Sequence, residues 1–310
     1  MFAPRGNGGL PIARKLEFLI APPDDGKKVF SVLRGNGVSA RLLGKLKRTD
    51  GGITRNGAHA RTIDRVQTGD LLCVSLPEDC TAIEATPLEL DIVFEDADLL
   101  LINKPAGLAM HPTHNHQGDT LANAVSAYFA QAGKQAAFRA VGRLDKGTSG
   151  LVLCAKHAFA AAKLSKPNQV QKIYFALAHG DCPDCGTYTN AIYRPFANRT
   201  LRACRLEDEP GQQGDESAVT HWDTIARGDG WSFLRVWLET GRTHQIRVHF
   251  AAHGHPLLGD DYYGAPPRAE GCHHLHCGVM SFLHPVTGDP MEFRAALPAH
   301  MEWIIDPEKS

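Results

Sequence analysis

The apolar residues of this chain change period several times, and each change marks an element. Leu16 to Ala21 reads as a poorly ordered lead or an edge strand, ended by the turn run Pro22-Pro23-Asp24-Asp25-Gly26. Val29, Val32 and Leu33 then recur at helical spacing, and Ala40 to Leu46 repeats that pattern. Gly52 to Gly57 reads as a strand entering an Asn-Gly turn, and Leu71 to Val74 closes the unit as a strand. Two prolines and an acidic pair make Pro77 to Pro87 a linker.

Beyond the linker, Leu90, Ile92 and Phe94 alternate ahead of Leu99 to Asn103, the pattern of a hairpin, and Pro105 forces Lys104 to Gly107 into a loop. Leu121, Val125, Tyr128 and Phe129 form the core face of a helix that follows Thr120. Ala137 to Val141 and Leu151 to Ala155 read as buried strands, His157 to Lys166 as a helix stopped by Pro167, and Lys172 to Leu177 as a strand. Glycine and charge make Arg205 to Glu216 an exposed loop, after which Val219 to Ile225 and Phe233 to Leu238 read as paired strands. His244 to His253 reads as a helix with Thr243 as N-cap and Gly254 as stop; Ile246 and Phe250 form its buried stripe, with Arg247 at the margin.

Composition adds bounds. A chain of 310 residues with 43% apolar content can bury a full core, and its length suits one large domain plus a smaller one. No run is apolar enough for a signal segment or a membrane span, which points to the cytoplasm. The net charge of −1 is a poor footprint for nucleic-acid binding, but its distribution is uneven. Residues 1–85 carry 13 Lys and Arg against 9 Asp and Glu, and the excess gathers at Arg41, Lys45, Lys47, Arg48, Arg55, Arg61 and Arg65. A solvated charged face accounts for such a run. A surface that neutralises phosphates does so equally, with the second helix presenting Arg41, Lys45, Lys47 and Arg48.

The 8 cysteines suggest free thiols in a reducing compartment. Cys182-Pro-Asp-Cys185 and the run Cys272 to Cys277 have ligand-like spacing, yet no second Cys-x-x-Cys completes a four-thiolate set, so the expectation is no metal. No Walker loop or dinucleotide fingerprint occurs either, so no cofactor is expected.

The chemistry points to Gly142-Arg143-Leu144-Asp145-Lys146-Gly147-Thr148-Ser149-Gly150, a glycine-rich turn between apolar runs that sets one carboxylate beside one guanidinium. Asp145 either caps backbone amides there, with Arg143 pairing to it, or serves as a reactive group held at the surface. The turn closely resembles the signature of the RluA-type pseudouridine synthases. The blocks Ile102 to Leu108, Lys172 to Tyr174, Thr240 to His249 and Phe282 to Pro285 match in the same order, so the likeness covers about Leu88 to Leu297.

The resemblance implies an isomerase acting on uridine in RNA, with a base taken out of its stack and no cofactor. It implies Asp145 as the catalytic residue, Arg247 as its ion-pair partner, and Tyr174 stacked on the flipped uracil, where it could take or supply a proton at carbon 5. Read by itself, Tyr174 is most simply a core aromatic with its hydroxyl paired, and Arg247 equally a salt bridge that fixes its helix. Arg143, Lys104, His111 and Arg242 fall in family-like blocks as substrate contacts. Many members have histidine where this chain has Gly142, which puts in doubt a histidine role in holding the RNA backbone.

Pattern and resemblance together give an α+β fold, a mixed, largely antiparallel sheet with a central cleft. Its expected divisions are a lead at 1–26, a small RNA-binding domain at 27–86 like that of a ribosomal small-subunit protein, and the catalytic domain at 87–310. The partner expected is RNA, ribosomal before transfer, acted on by a monomer. The competing readings are a non-catalytic RNA-binding or ribosome-assembly protein, which an intact Asp145, Tyr174 and Arg247 disfavours, and a zinc hydrolase, for which no His-Glu-x-x-His motif exists.

Overall fold

The computed structural model describes residues 14–77, 83–113, 116–133, 137–197, 200–206, 209–264 and 272–302. The first unit runs β1 (Lys15–Leu19), α1 (Val29–Gly35), α2 (Ala40–Leu46), β2 (Ile53–Arg55), β3 (Ala58–His59) and β4 (Leu71–Ser75). Its strands form an antiparallel sheet in the order β1-β4-β2-β3. Ser39 caps α2 by accepting from the Leu42 N–H at 3.1 Å, which spares that helix an orphan donor.

The stretch set apart as a lead over 1–26 belongs in part to this sheet. Leu16 and Ile20 are buried with Val29, Leu33, Leu72 and Val74, so β1 is its edge strand. Residues 1–13, and the linker's 78–82 with its acidic pair, lie outside the described residues.

The larger unit follows with β5 (Ile92–Glu95), β6 (Leu99–Lys104), α3 (Leu121–Gln131), β7 (Ser149–Ala155), α4 (Ala158–Leu164), β8 (Val170–His179), β9 (Cys185–Tyr188), β10 (Ile192–Tyr193) and β11 (Ala203–Cys204). It ends with β12 (Thr220–Gly228), β13 (Trp231–Leu238), α5 (Gln245–Ala252), β14 (Leu275–Leu283), β15 (Pro290–Arg294) and α6 (Ala299–Glu302). Its main sheet has the order β5-β6-β7-β14-β8-β13-β12-β9, with β15 also paired to β14. Every strand pair in it is antiparallel except β7 with β14, so the α+β, largely antiparallel expectation holds.

That parallel pair places the turn before β7. Gly150 has φ +106, and a Cβ there would lie 2.3 Å from the Cys277 carbonyl oxygen, so only glycine lets β7 start this close to β14. Residues 137–141 are not the full strand their apolar run suggested. They run beside the far end of β7 through one bridge, Ala140 to Cys154, with the Val141 N–H donating to the Leu153 carbonyl at 2.7 Å.

The two units share packing. Phe159 on α4 is buried in the first unit's core, edge-on to Phe18 with ring centroids 6.4 Å apart. Arg14 forks onto Asp98 with bonds of 2.7 and 2.9 Å. A division at residue 86 therefore does not separate two self-contained cores.

Candidate active site

Asp145 stands on the turn that feeds β7, its side chain 15% exposed. The turn is closed by the Thr148 N–H donating to the Asp145 carbonyl at 3.1 Å. Beneath it the Thr148 hydroxyl lies 2.8 Å from His273 Nε2, and the Ser149 hydroxyl 2.9 Å from His276 Nδ1. These contacts fix the backbone on the β7 side of the carboxylate, so the aspartate is held rather than hinged.

Arg247 reaches it from α5, donating through NH1 to Asp145 Oδ2 at 3.0 Å. The same guanidinium donates through Nε and NH2 to both oxygens of Asp260, at 2.7 and 2.9 Å. Asp260 is 1% exposed, so this bidentate pair is the anchor and the bond to Asp145 is its single-ended arm. Burial works against the Arg247 charge, but the bonds to Asp260 and then Asp145 outweigh it and hold the guanidinium protonated. Nothing in the apolar pattern singled out Asp260; its one sequence sign is an acidic residue directly after a glycine.

The helix carrying Arg247 starts one residue later than expected. His244, with φ 59 and ψ 18, takes the N-cap place in the left-handed region and makes no side-chain cap bond. Gln245 stabilises the turn instead: its Oε1 accepts from the Arg242 N–H and the Thr240 hydroxyl, and its Nε2 donates to the Val219 carbonyl. Gln245 through Phe250 are all buried, so the helix has no solvent face there and Arg247 lies inside the protein, not at a margin.

Tyr174 on β8 faces the same cleft. Register pairs it with Val236 on one side and Cys277 on the other, and it is 7% exposed, so it both belongs to the core and lines the cavity. Burial, followed by the neighbouring Cys277 and Asp145, pushes its phenol well above the usual tyrosine value. The cavity is about 360 Å³ and takes in Asp145, Arg143, Tyr174, Lys166, Lys172 and Arg242. Arg143 is exposed. Gly142 before it has φ +78, a conformation that favours glycine, and a Cβ there would stand 3.1 Å from the Lys172 amine. His111 lies near, its ring edge-on to Phe138, and burial with the Arg143 charge lowers its pKa. Arg242 is exposed at the rim, bonded to the Ser217 carbonyl and to Glu216.

Lys104 does not fit the substrate contacts where it was expected. It is fully buried, and its Nζ donates to the carbonyls of Pro105, Leu108 and Lys146 at 2.8, 2.9 and 3.2 Å. Burial pushes the amine down to about 7 while the charge of Asp145 pulls the other way. Three carbonyl acceptors call for three N–H donors, which only the ammonium has. Lys104 therefore ties the Pro105 loop to the Asp145 turn from behind.

Arg41, Lys47 and Arg48 are exposed on and just after α2, with Lys45 half-buried. Among the described residues, the group of His, Cys, Asp and Glu compact enough for a metal is Asp96, Asp98 and His284, and it includes none of the cysteines. Asp98 there already holds Arg14 and His157, and His284 Nε2 lies 2.9 Å from Asp96 Oδ2.

Buried histidines on α5 and β14 make the stability of the fold depend on pH. Burial lowers His249 and His276 from 6.5 to about 4 each, so the fold favours their neutral forms. Their stabilisation is full above about 6.5 and is lost as pH falls toward about 4, because the unfolded chain binds the protons first. The cost is on the order of 1 kcal/mol per histidine per pH unit across that window. Thermal unfolding at a series of pH values should show Tm dropping through it, and His276→Asn should flatten the drop; a flat wild-type profile would contradict this.

The chain matches the RNA pseudouridylate synthase family over residues 98–252. It is 36% identical to an uncharacterized RNA pseudouridine synthase, YjbO, of Bacillus subtilis, over 88% of this chain and 96% of that protein. It is 35% identical to ribosomal large subunit pseudouridine synthase D of Pseudomonas aeruginosa, covering 86% of each. Among solved structures, human RNA pseudouridylate synthase domain containing 1 superposes with a TM-score of 0.55 at 26% identity, over 74% of this chain and 89% of that one.

Proposed function

We propose how this cleft works from one premise: the chain belongs to the RNA pseudouridylate synthase family and converts uridine to pseudouridine in RNA. The observation that carries the assignment of roles is the Asp145 carboxylate, set in a cavity and held by one arm of an arginine whose other face is locked on Asp260. The isomerisation breaks the C1′–N1 bond, turns the uracil, joins C5 to C1′, removes the proton from C5 and places one on N1. Asp145 is the group that meets the sugar, by attack at C1′ or by taking a proton from C2′. A duplex hides those atoms, so the uridine has to leave its stack.

Tyr174 forms the flat wall on which the extruded base rests. Its raised pKa keeps the phenol protonated, so it is suited to donate a proton or hydrogen bond and poorly suited to act as a base. Arg143, Lys166, Lys172 and Arg242 around the opening, with His111 beside them, hold the flanking phosphates.

The substrate we assign is large-subunit ribosomal RNA, which the name of the Pseudomonas relative supports. A ribosomal RNA substrate goes with a cytoplasmic enzyme, which we take to act as a monomer. Among the described residues no helix is long and apolar enough to cross a membrane. Pseudouridine mapping in cells with the protein, without it, and with Asp145→Ala tests this: ribosomal sites should vanish in the latter two, and ribosomal RNA unchanged in both would refute the assignment.

The small unit adds affinity through the basic face of α2. Replacing Arg41, Lys45, Lys47 and Arg48 together by glutamine should weaken RNA binding and reduce the salt slope by about 0.7 to 0.9 for each phosphate no longer neutralised. An unchanged slope in titrations between low and moderate salt would remove the unit from binding. Substitution is a cleaner test than deleting the unit, because deletion would strip the cover from Phe159 and leave Asp98 without Arg14.

A further inference from the structure

We propose that His244 is a further catalytic residue, presenting an Nε2–H donor to the O2 edge of the uracil as its bond to the sugar breaks. The inference rests on the functional reading above and assigns a group that reading does not use.

The backbone marks the position first. His244 is one of three non-glycine residues with positive φ among those described; the other two, Asn56 and Asn168, are asparagines, the residue type that tolerates this region best. Holding a histidine there turns its ring into the space beside Asp145. The side chain is 12% exposed, and it borders a small cavity of about 50 Å³ together with Arg143, Asp145, Tyr174 and Arg247.

A hydrogen-bond chain then fixes the ring and favours one tautomer. The backbone N–H of Arg202 donates to the Tyr263 hydroxyl oxygen at 3.0 Å, and that hydroxyl lies 2.8 Å from His244 Nδ1. With its oxygen already accepting from Arg202, the phenol is suited to donate its own proton to Nδ1, and in that arrangement, which the proposal adopts, the imidazole proton sits on Nε2. The phenol is itself held neutral, pushed up to about 12 by burial. The imidazole is also neutral, since burial, with Asp145 opposing and Arg247 assisting, lowers it to about 4.

The free end of this chain is not spent on the neighbouring carboxylate. Nε2 is 3.8 Å from Asp145 Oδ2, too far for a hydrogen bond. The donor thus remains available beside the carboxylate that meets C1′. When C1′–N1 breaks, its electron pair leaves with the uracil and spreads over N1, O2 and O4. O2 is the carbonyl nearest the sugar, so it is the acceptor a donor next to Asp145 can meet. His244 keeps its proton throughout. It stabilises charge while the base turns, and the C5 proton and the new N1 proton move by other groups, so the isomerisation balances without it. A prepositioned neutral donor at developing charge is worth about 10²- to 10³-fold in rate.

The test uses the full-length protein and an unmodified large-subunit ribosomal RNA transcript in single-turnover assays, with Asp145→Ala as the silent control. His244→Ala should slow the step about 100-fold with RNA affinity unchanged. His244→Gln, whose amide can donate, should recover part of that loss. Transcripts carrying 2-thiouridine, whose sulfur is a weak acceptor, should slow the wild type but not His244→Ala further, whereas 4-thiouridine transcripts should affect both alike. Tyr263→Phe, which frees the tautomer without removing the imidazole, should slow the wild type and lessen its 2-thiouridine sensitivity.

A His244→Ala enzyme within twofold of wild type overturns the proposal. So does equal 2-thiouridine sensitivity in both proteins, which would mark a role in packing alone. Should His244→Ala fail to fold, the Gln and Tyr263→Phe variants decide by the same sulfur comparison. A wild type silent on the transcript would instead overturn the ribosomal assignment.

Discussion

Replacing Asp145 by alanine or asparagine is expected to cut the rate of pseudouridine formation by about 10⁴-fold or more while leaving the fold and RNA binding in place. The first half follows from chemistry: neither replacement offers an oxygen anion to the sugar, and among the described residues the other carboxylate on Arg247, Asp260, is buried at 1% exposure behind the guanidinium. The second half follows from the lopsided sharing of Arg247. Its bidentate bonds go to Asp260, so losing Asp145 removes one bond of 3.0 Å and leaves the arginine paired. The stability cost should be about 1 to 3 kcal/mol. RNA affinity should hold or rise slightly, because a negative charge has left a cleft rimmed by Arg143, Lys166, Lys172 and Arg242. Single-turnover kinetics and a binding titration on one transcript read both halves, and a variant within tenfold of wild-type rate would remove Asp145 from its role.

Arg247→Met should do the opposite in one respect, harming the fold as well as the chemistry. It would leave Asp260 and Asp145 facing each other across the space the guanidinium filled, with Asp260 fully enclosed. Removing one partner of a buried ion pair costs about 3 to 5 kcal/mol, because the stranded charge has no water to solvate it. Adding Asp260→Leu to Arg247→Met should return much of that stability, since the unpaired buried charge is gone, but should return no activity. Urea unfolding of the two variants gives the comparison. Equal midpoints for the single and double variants would mean that the pair does not carry the energy assigned to it, and activity in the double variant would mean that Arg247 acts only as a structural pin.

The sequence by itself determined most of the elements and marked the carboxylate proposed here to react. Helical spacing at Val29, Val32 and Leu33 and at Leu121, Val125 and Phe129 reports burial on one face, and alternation at Ile92 and Phe94 partial burial against the core, a property that residues near in the chain encode together. The Asp145 turn was legible for a similar reason: glycines and a carboxylate within a few residues, an order that resembles a known signature.

What the tertiary structure decided involves partners far apart in the chain. Arg247 and Asp145 are separated by 102 positions, and the periodicity of α5 placed Arg247 at a helix margin, because it could not know that the helix is enclosed on every side. Lys104, expected as a substrate contact, is turned inward by the fold onto three carbonyls of two loops. Phe159 read as the start of a helix in one unit and lies in the core of the other. Asp260 carried no mark beyond the glycine before it. A charge's role depends on which opposite charge the fold brings within about 3 Å of it and how much water it leaves there, and both are set by strand order and loop closure, not by the neighbours in the chain.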